Sequence, residues 1–165
     1  MRKEAAQEWR ITMKKVDLHV HSTYSDGTNT PKELIKLAEN EGLSAIALTD
    51  HDTLDGIPDA LDAAKNSSVE LIPGVELSTN FNNTEVHIVG LFLDHNNKQI
   101  NDYLIYQRQS RTYRNIQMCE KFCDIGINIT YDKMCELYPD AVITRAHFAD
   151  YLVKNKYTGD RKSVV

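Results

Sequence analysis

One short segment, DLHVH at residues 17–21, has a spacing that suits metal binding. In a β-strand alternate side chains lie on the same face, so His19 and His21 would point the same way. Two neighbouring imidazoles form a chelate for Zn, Mn or Fe. Asp26 follows in the loop after the strand and would add a carboxylate oxygen. We therefore expect a metal site here; the alternative is that the histidines are unrelated polar residues at a strand end.

Three further segments place a histidine or a carboxylate at or near the end of a predicted strand. His51 follows the apolar segment SAIAL, Glu76 follows IPGV, and His87 lies within EVHIV. Each alone could be a surface or hydrogen-bonded residue. Four successive strands that do this at one end indicate a site for several metal ions, because the carboxyl ends of strands carry the chemistry in βα architectures. Asp50 and Asp52, beside His51, could orient it or cap the next helix.

The elements that would position these residues alternate between strand and helix. Short apolar strands separated by helices are typical of a parallel sheet, and about four βα units are expected. In the first helix, Thr30 with Glu33 would form a capping box and Gly42 would end the helix. The strands are predicted at residues 16–20, 44–48, 69–75 and 85–92, and a second helix at 58–65.

The second half of the sequence is predicted to be helical, with a long polar helix from residue 97 to about 124 and shorter ones at 131–137 and 145–153. We expect an N-terminal extension at residues 1–12, part of a barrel at 13–96 and a helical subdomain at 97–165. Closed βα barrels usually need about 250 residues. The 165 residues are therefore expected to lack the remainder of the barrel.

Composition narrows the classes of function. The net charge of −5 makes the chain a poor general binder of long nucleic acids. A small phosphorylated substrate or a nucleic-acid 5′ end remains compatible, because bound cations reverse the local charge. The sequence has no apolar run long enough to span a membrane and no secretory signal, so a cytoplasmic location is expected. Its three cysteines, Cys119, Cys123 and Cys135, form no C-x-x-C pair and are expected to be reduced thiols.

Four segments together resemble the successive motifs of the PHP (polymerase and histidinol phosphatase) superfamily: VDLHVHSTYSDGT, AIALTDHDT, IPGVELS and EVHIVGLF. Their order and spacing are similar to the branch with nucleoside 3′,5′-bisphosphate phosphatases and RNA 5′-end exonucleases. The resemblance covers residues 13–155. It implies an α/β fold, a partial distorted (β/α)7 TIM-like barrel with a helical insertion, and up to three divalent ions (Mn, Fe or Zn). The metal ligands that it implies are His19, His21, Asp26, His51, Glu76 and His87.

The same resemblance concerns two residues further along the chain. The segment ITRAHFA resembles a family segment near the substrate phosphate, which implies that Arg145 and His147 bind substrate. Alternatively, Arg145 is solvated and His147 packs or caps a helix. Arg108, Arg111 and Arg114, three residues apart, predict a solvated helix face, with phosphate contact as the less favoured interpretation.

The predicted activity is metal-dependent hydrolysis of a phosphate monoester or terminal phosphodiester of a nucleotide-type substrate, by a metal-activated hydroxide. No catalytic residue is assigned beyond the metal ligands. The alternatives are a histidinol-phosphatase-like enzyme, a polymerase-associated module and a non-catalytic or inactive fragment. The family completes its site with a downstream His and Asp-x-His, and no Asp-x-His follows residue 100. The 165 residues alone are therefore expected to bind metal in part and turn over slowly, unless a dimer completes the barrel.

Overall fold

The computed structural model describes residues 14–159, so the predicted extension at residues 1–12 lies outside the described residues. The strands are β1 (Lys15–Val20), β2 (Leu43–Leu48), β3 (Glu70–Phe81) and β4 (Thr84–Leu91). The helices are α1 (Pro31–Asn40), α2 (Ile57–Ala64), α3 (Lys98–Asp124), α4 (Tyr131–Leu137) and α5 (Arg145–Lys154). The fold is mixed α/β, and its sheet has the order β1-β2-β3-β4, consistent with part of a barrel.

The first three strands pair in parallel, as predicted from their separation by helices. Residues 45–48 of β2 are buried, which explains the nearly continuous apolar segment. Helix α1 begins with the predicted capping box between Thr30 and Glu33, and Gly42 follows it with a φ of 68°. Leu34 and Ile35 of α1 pack into the same apolar core as the sheet. This core fixes the strand ends that carry the candidate ligands.

The fourth strand corrects the prediction of a parallel sheet made of four βα units. Strand β3 was expected to end near Val75, but it continues to Phe81 and pairs antiparallel with β4. The turn between them contains Asn82 and Asn83, whose φ angles are 51° and 61°. Two-residue turns with positive φ match the twist of a β-hairpin, and asparagine adopts this conformation more readily than most residues. A tight hairpin therefore replaces the expected crossover.

Helix α3 connects the sheet to the helical part of the chain. Leu104, in its first half, is buried in the core of the sheet. Cys119, in its second half, packs with Met134 and Phe148 in a separate apolar cluster. The three cysteines are free thiols, and Cys119 is the buried one. Among the described residues, no helix is both long and apolar enough to cross a membrane.

The two outer strands of the sheet expose apolar side chains. Within residues 14–159, β1 pairs only with β2, and β4 pairs only with β3. Val16 and Leu18 on β1 are exposed, as are Val86 and Ile88 on β4. Both outer strands therefore leave apolar surface uncovered by the described part of the chain.

Candidate metal centre

The structure brings the six predicted ligands together at one end of the sheet. They form three overlapping groups, and within each group the ligand atoms lie within 4.8 Å of one another. The groups are His19–His21–Glu76, His21–Asp26–His51 and His51–Glu76–His87. Since His21, His51 and Glu76 each belong to two groups, the groups are adjacent. Such sharing suits several neighbouring cations rather than three isolated ones.

Backbone pairing aligns the strands that carry these ligands. His51 forms a parallel bridge with Glu76, and the Asp52 amide donates to the Glu76 carbonyl over 3.0 Å. Glu76 was predicted at a strand end, but it lies inside β3, where pairing passes from β2 to β4. On β4, Val89 lies opposite Glu76. His87, two residues from Val89, shares its face and so lies diagonally across from Glu76.

The Glu76 carboxylate lies at the centre of the four imidazoles. Its Oε2 is 3.0 Å from His19 Nε2, 3.1 Å from His21 Nε2 and 3.4 Å from His51 Nδ1. Its Oε1 is 2.7 Å from His87 Nδ1. Burial alone would raise the pKa of Glu76. Hydrogen bonds from His19 and His87, together with electrostatic attraction to His51 and His21, outweigh burial and lower the pKa. Glu76 is therefore ionised at neutral pH, the form that binds cations.

His51 supplies an independent sign that the cluster fits metal ions. Its Nδ1 is buried and has no hydrogen-bond partner; Glu76 lies 3.4 Å away without hydrogen-bond geometry. Its Nε2 is 3.5 Å from Asp26 Oδ2. Burial lowers the pKa of His51 despite the nearby carboxylates, which favours the neutral imidazole that binds metals. An unpartnered buried nitrogen and a mixed set of imidazoles and carboxylates fit Zn, Mn or Fe.

Asp50 anchors the loop that carries two of the candidate ligands. Its buried carboxylate accepts hydrogen bonds from the Ser22 amide (2.7 Å), the Ser22 hydroxyl (2.6 Å) and the Ser25 hydroxyl (2.6 Å). Burial raises the pKa of Asp50, and the three donors oppose this shift. Asp50 therefore supports His21 and Asp26 from behind. Neither serine was predicted to be part of the site, although both lie between those ligands, on either side of Thr23 and Tyr24.

The prediction of a solvated arginine face on α3 is wrong for Arg111, which contacts Asp52. Arg111 was expected on a solvated face, yet it is 7% exposed and forms an ion pair with Asp52. It also donates to the Ser78 hydroxyl over 2.6 Å. One turn earlier, Arg108 donates to Asp55 over 2.8 Å. Arg111 on this face of α3 is therefore buried against a carboxylate, whereas the Arg108–Asp55 pair stays partly exposed.

A polar cavity of about 590 Å³ lies between this helix face and β4. Arg114, Arg145 and Glu85 are among its lining residues. Arg145 forms an ion pair with Glu85, and Arg114 Nη1 lies 3.7 Å from the same carboxylate. Burial would raise the pKa of Glu85, but hydrogen bonds from Arg145 and His87 lower it to about 2. Glu85 Oε1 is 3.2 Å from His87 Nε2, so the cavity adjoins the candidate ligands.

His147 lies at the start of α5, where it has a structural contact. The Thr144 amide donates to His147 Nδ1 over 2.9 Å, and the Tyr138 ring centroid is 4.3 Å from that of His147. The Thr144 hydroxyl donates to Asp26 Oδ2 over 3.0 Å. The capping alternative for His147 is thus observed, while its contact with phosphate stays a prediction. Through Thr144, α5 also supports a candidate ligand.

Comparisons with known proteins identify a matching family model and several relatives. The family model of the PHP domain matches residues 17–158. A 5′-3′ exoribonuclease of Haemophilus influenzae is 44% identical over 141 residues, which are 86% of this chain and 51% of that protein. A 3′,5′-nucleoside bisphosphate phosphatase of Chromobacterium violaceum is 36% identical over 155 residues, 92% of this chain and 54% of that protein.

The fold is also similar to a solved structure, that of an amidohydrolase from Chromobacterium violaceum with bound sulfate and no metal. The TM-score is 0.84 at 35% identity, over 91% of this chain and 53% of that one. The chain therefore spans about half the length of the relatives that it matches.

Proposed function

We propose that this chain, which belongs to the PHP domain family, supplies the metal-binding half of a phosphoesterase that acts on a nucleotide-type substrate. The reaction is hydrolysis of a phosphate monoester or of a terminal phosphodiester. The observation that carries the proposal is the cluster of six ligand side chains in three adjacent groups. The two relatives above are named for activities on RNA and on nucleoside bisphosphates, which favours the nucleotide class.

In this proposal the six side chains hold up to three divalent ions, with Mn, Fe and Zn all compatible with the donor set. Such ions lower the pKa of a water molecule toward neutrality and neutralise phosphate oxygens. Glu76 would contribute to two of the groups, because its Oε2 lies near His21 and its Oε1 lies near His87. Asp26 and His51, together with His21, would form one of the three groups that hold these ions. Asp50, through Ser22 and Ser25, keeps the loop ligands in place.

The arginines at the cavity would bind the phosphate of the substrate. Arg145 extends from α5 to Glu85, and Arg114 approaches the same carboxylate from α3. Burial and the neighbouring charges of Arg111 and Arg145 lower the pKa of Arg114, and its Nε is buried without a hydrogen-bond partner. A phosphate would complete these contacts and compensate the repulsion between the guanidinium groups. His147 would act indirectly, by holding the start of α5 beside Arg145.

The proposal includes the larger architecture. In this proposal residues 13–96 would be the first part of a distorted (β/α)7 barrel and residues 97–165 a helical insertion, of which the structure describes residues 14–159. The remaining strands, with a His and an Asp-x-His, would come from the rest of a longer protein. Support comes from the relatives, of which the chain covers about half. We therefore expect the 165 residues alone to bind metal and to hydrolyse substrate slowly.

The test measures metal content and phosphate release in parallel. The purified chain is loaded with Mn²⁺, desalted, analysed for metal and assayed with adenosine 3′,5′-bisphosphate, with histidinol phosphate as comparison substrate. His51→Ala should lose most of the bound metal. His95→Ala is the matched control, because His95 belongs to none of the three ligand groups. Equal metal content in both variants, or a preference for histidinol phosphate, would contradict the proposal.

A further inference from the structure

Two tyrosines of α3 lie on the wall of the cavity that contains Arg114 and Arg145. Tyr103 is 43% exposed and Tyr106 is 63% exposed, and both line the cavity. Residues three apart in a helix share a face, so the two rings point into the same space. The side chain of Gln107 donates to the Tyr103 hydroxyl, which restrains that ring. The cavity thus has an aromatic side and a cationic side.

The side chains that line the cavity have a net positive charge, which favours binding of an anion. The lining residues include three arginines, Arg111, Arg114 and Arg145, and two carboxylates, Asp52 and Glu85. One positive charge is therefore in excess. Both carboxylates are already paired with arginine, so their negative charge is partly screened. An incoming phosphate meets the guanidinium groups rather than free carboxylates.

The cavity has the dimensions and the position for more than a phosphate. Its volume of about 590 Å³ lies in the range of about 300–1,000 Å³ that is usual for small-molecule sites. Glu85 in its lining contacts His87, a candidate ligand. Tyr106, also in the lining, is exposed to solvent. A substrate held by its phosphate near His87 would extend its remaining groups along the aromatic wall.

We infer that Tyr103 and Tyr106 bind the nucleobase of the substrate by stacking, while Arg114 and Arg145 hold its phosphate; this inference rests on the proposed function. Each of the nucleobases can stack on an aromatic ring, because every base has a π-face. Stacking uses the face of a base and does not depend on the hydrogen-bonding groups at its edge. The substrate class is therefore a nucleotide or a nucleic-acid end with little base preference, rather than a phosphorylated sugar or amino alcohol.

The test is equilibrium binding in Mn²⁺ of a fluorescent nucleotide, 2-aminopurine riboside 3′,5′-bisphosphate, and of a base-free ligand, ribose 5-phosphate. Stacking quenches 2-aminopurine, so fluorescence reports the contact directly. The double variant Y103A/Y106A should lose about tenfold or more in affinity for the nucleotide and change little for ribose 5-phosphate. Tyr106→Phe should bind like the unsubstituted protein. Tyr113→Ala is the matched control, because Tyr113 is 66% exposed on the same helix but is not a lining residue.

The outcomes distinguish a failure of the stacking inference from a failure of the phosphoesterase proposal. Unchanged nucleotide affinity in Y103A/Y106A, or an equal loss for both ligands, overturns the stacking and leaves the phosphoesterase proposal intact. If the unsubstituted protein binds neither phosphate ligand, the phosphoesterase proposal fails and the stacking fails with it. A selective loss for the nucleotide, with Tyr113→Ala unaffected, supports both.

Discussion

Arg111 and Asp52 form a buried ion pair that connects α3 to the strand end carrying His51. Asp52 also accepts a hydrogen bond from the Ser78 amide over 2.9 Å, and Arg111 donates to the Ser78 hydroxyl. The pair therefore joins the end of β2, the middle of β3 and the long helix. These are the elements that also carry His51, Glu76 and the arginines of the cavity.

Removing the cation of this pair should cost much more stability than removing a surface arginine. Arg111→Met leaves a buried carboxylate without compensation, and we expect a loss of about 3–5 kcal/mol in the free energy of unfolding. Arg108→Met is the control, because its partner Asp55 is largely exposed, and we expect a loss of about 0–1 kcal/mol. Urea denaturation measures both, and equal losses would contradict the structural role of the pair.

Asp50 should matter for metal affinity without contacting metal. Asp50→Ala leaves three donors of Ser22 and Ser25 without their acceptor, and we expect a loss of about 1–3 kcal/mol of stability. Because the loop also carries His21 and Asp26, Mn²⁺ affinity should fall by about 10–100-fold. Ser25→Ala removes one donor and should have a smaller effect. Calorimetric Mn²⁺ titration tests this prediction. Unchanged affinity in Asp50→Ala would show that the loop keeps its ligands in position without Asp50.

Gly27 should tolerate no side chain. A Cβ there would lie 2.1 Å from the His21 carbonyl oxygen and 2.8 Å from Ser22 Cα, and backbone atoms cannot move aside easily. We expect Gly27→Ala to lower stability by at least about 1–3 kcal/mol and to weaken Mn²⁺ binding. At Gly90 an added Cβ meets no atom closer than 3.5 Å, so Gly90→Ala should be nearly neutral. Thermal melts with and without Mn²⁺ compare the two variants.

Glu85 should stabilise the fold in a pH-dependent way. Its pKa in the folded state is about 2, below the ordinary 4.5, so the folded state favours the carboxylate. The resulting stability is present above about pH 4.5 and is lost as the pH falls toward 2. Burial lowers the pKa of His87, but hydrogen bonds with Glu85 and Glu76 outweigh it and raise the pKa overall, so His87 stays protonated in this range.

The measurement compares Glu85→Gln with the unsubstituted chain in urea, with EDTA present. At about pH 6 the variant should be less stable, and the difference should shrink as the pH is lowered through the acidic range. A difference that is constant with pH would show that the ion pairs of Glu85 with Arg145 and Arg114 do not contribute as described.

Local patterns were enough to predict the parallel strands and the grouping of the six side chains. The pair His19 and His21 is a short-range pattern, and so are the polar residues that follow a buried strand at His51. Both depend on neighbouring residues in the chain and not on tertiary packing. The hairpin was missed because an apolar strand pattern carries no information on direction. The signal that could have revealed it was the pair Asn82 and Asn83 between two alternating segments.

The carboxylate partners of Arg108 and Arg111, and the burial of Arg111, could not be predicted from α3 alone. A spacing of three on a polar helix indicates one face, but whether that face meets water or carboxylates depends on how the helix packs on the sheet. Asp52 and Asp55, the partners of Arg111 and Arg108, lie more than 50 positions earlier in the chain. Such long-range pairs are a consequence of tertiary packing, and composition gives no sign of them.

The outer strands β1 and β4 have a practical consequence for handling the protein. Within the described residues their outer edges, next to Leu18 and Ile88, pair with no further strand, and such an edge is a template on which a strand from another molecule can add. We therefore expect concentrated samples of residues 14–159 to aggregate edge to edge. A lysine in place of Ile88 would oppose such growth by charge repulsion, at a position that belongs to none of the ligand groups.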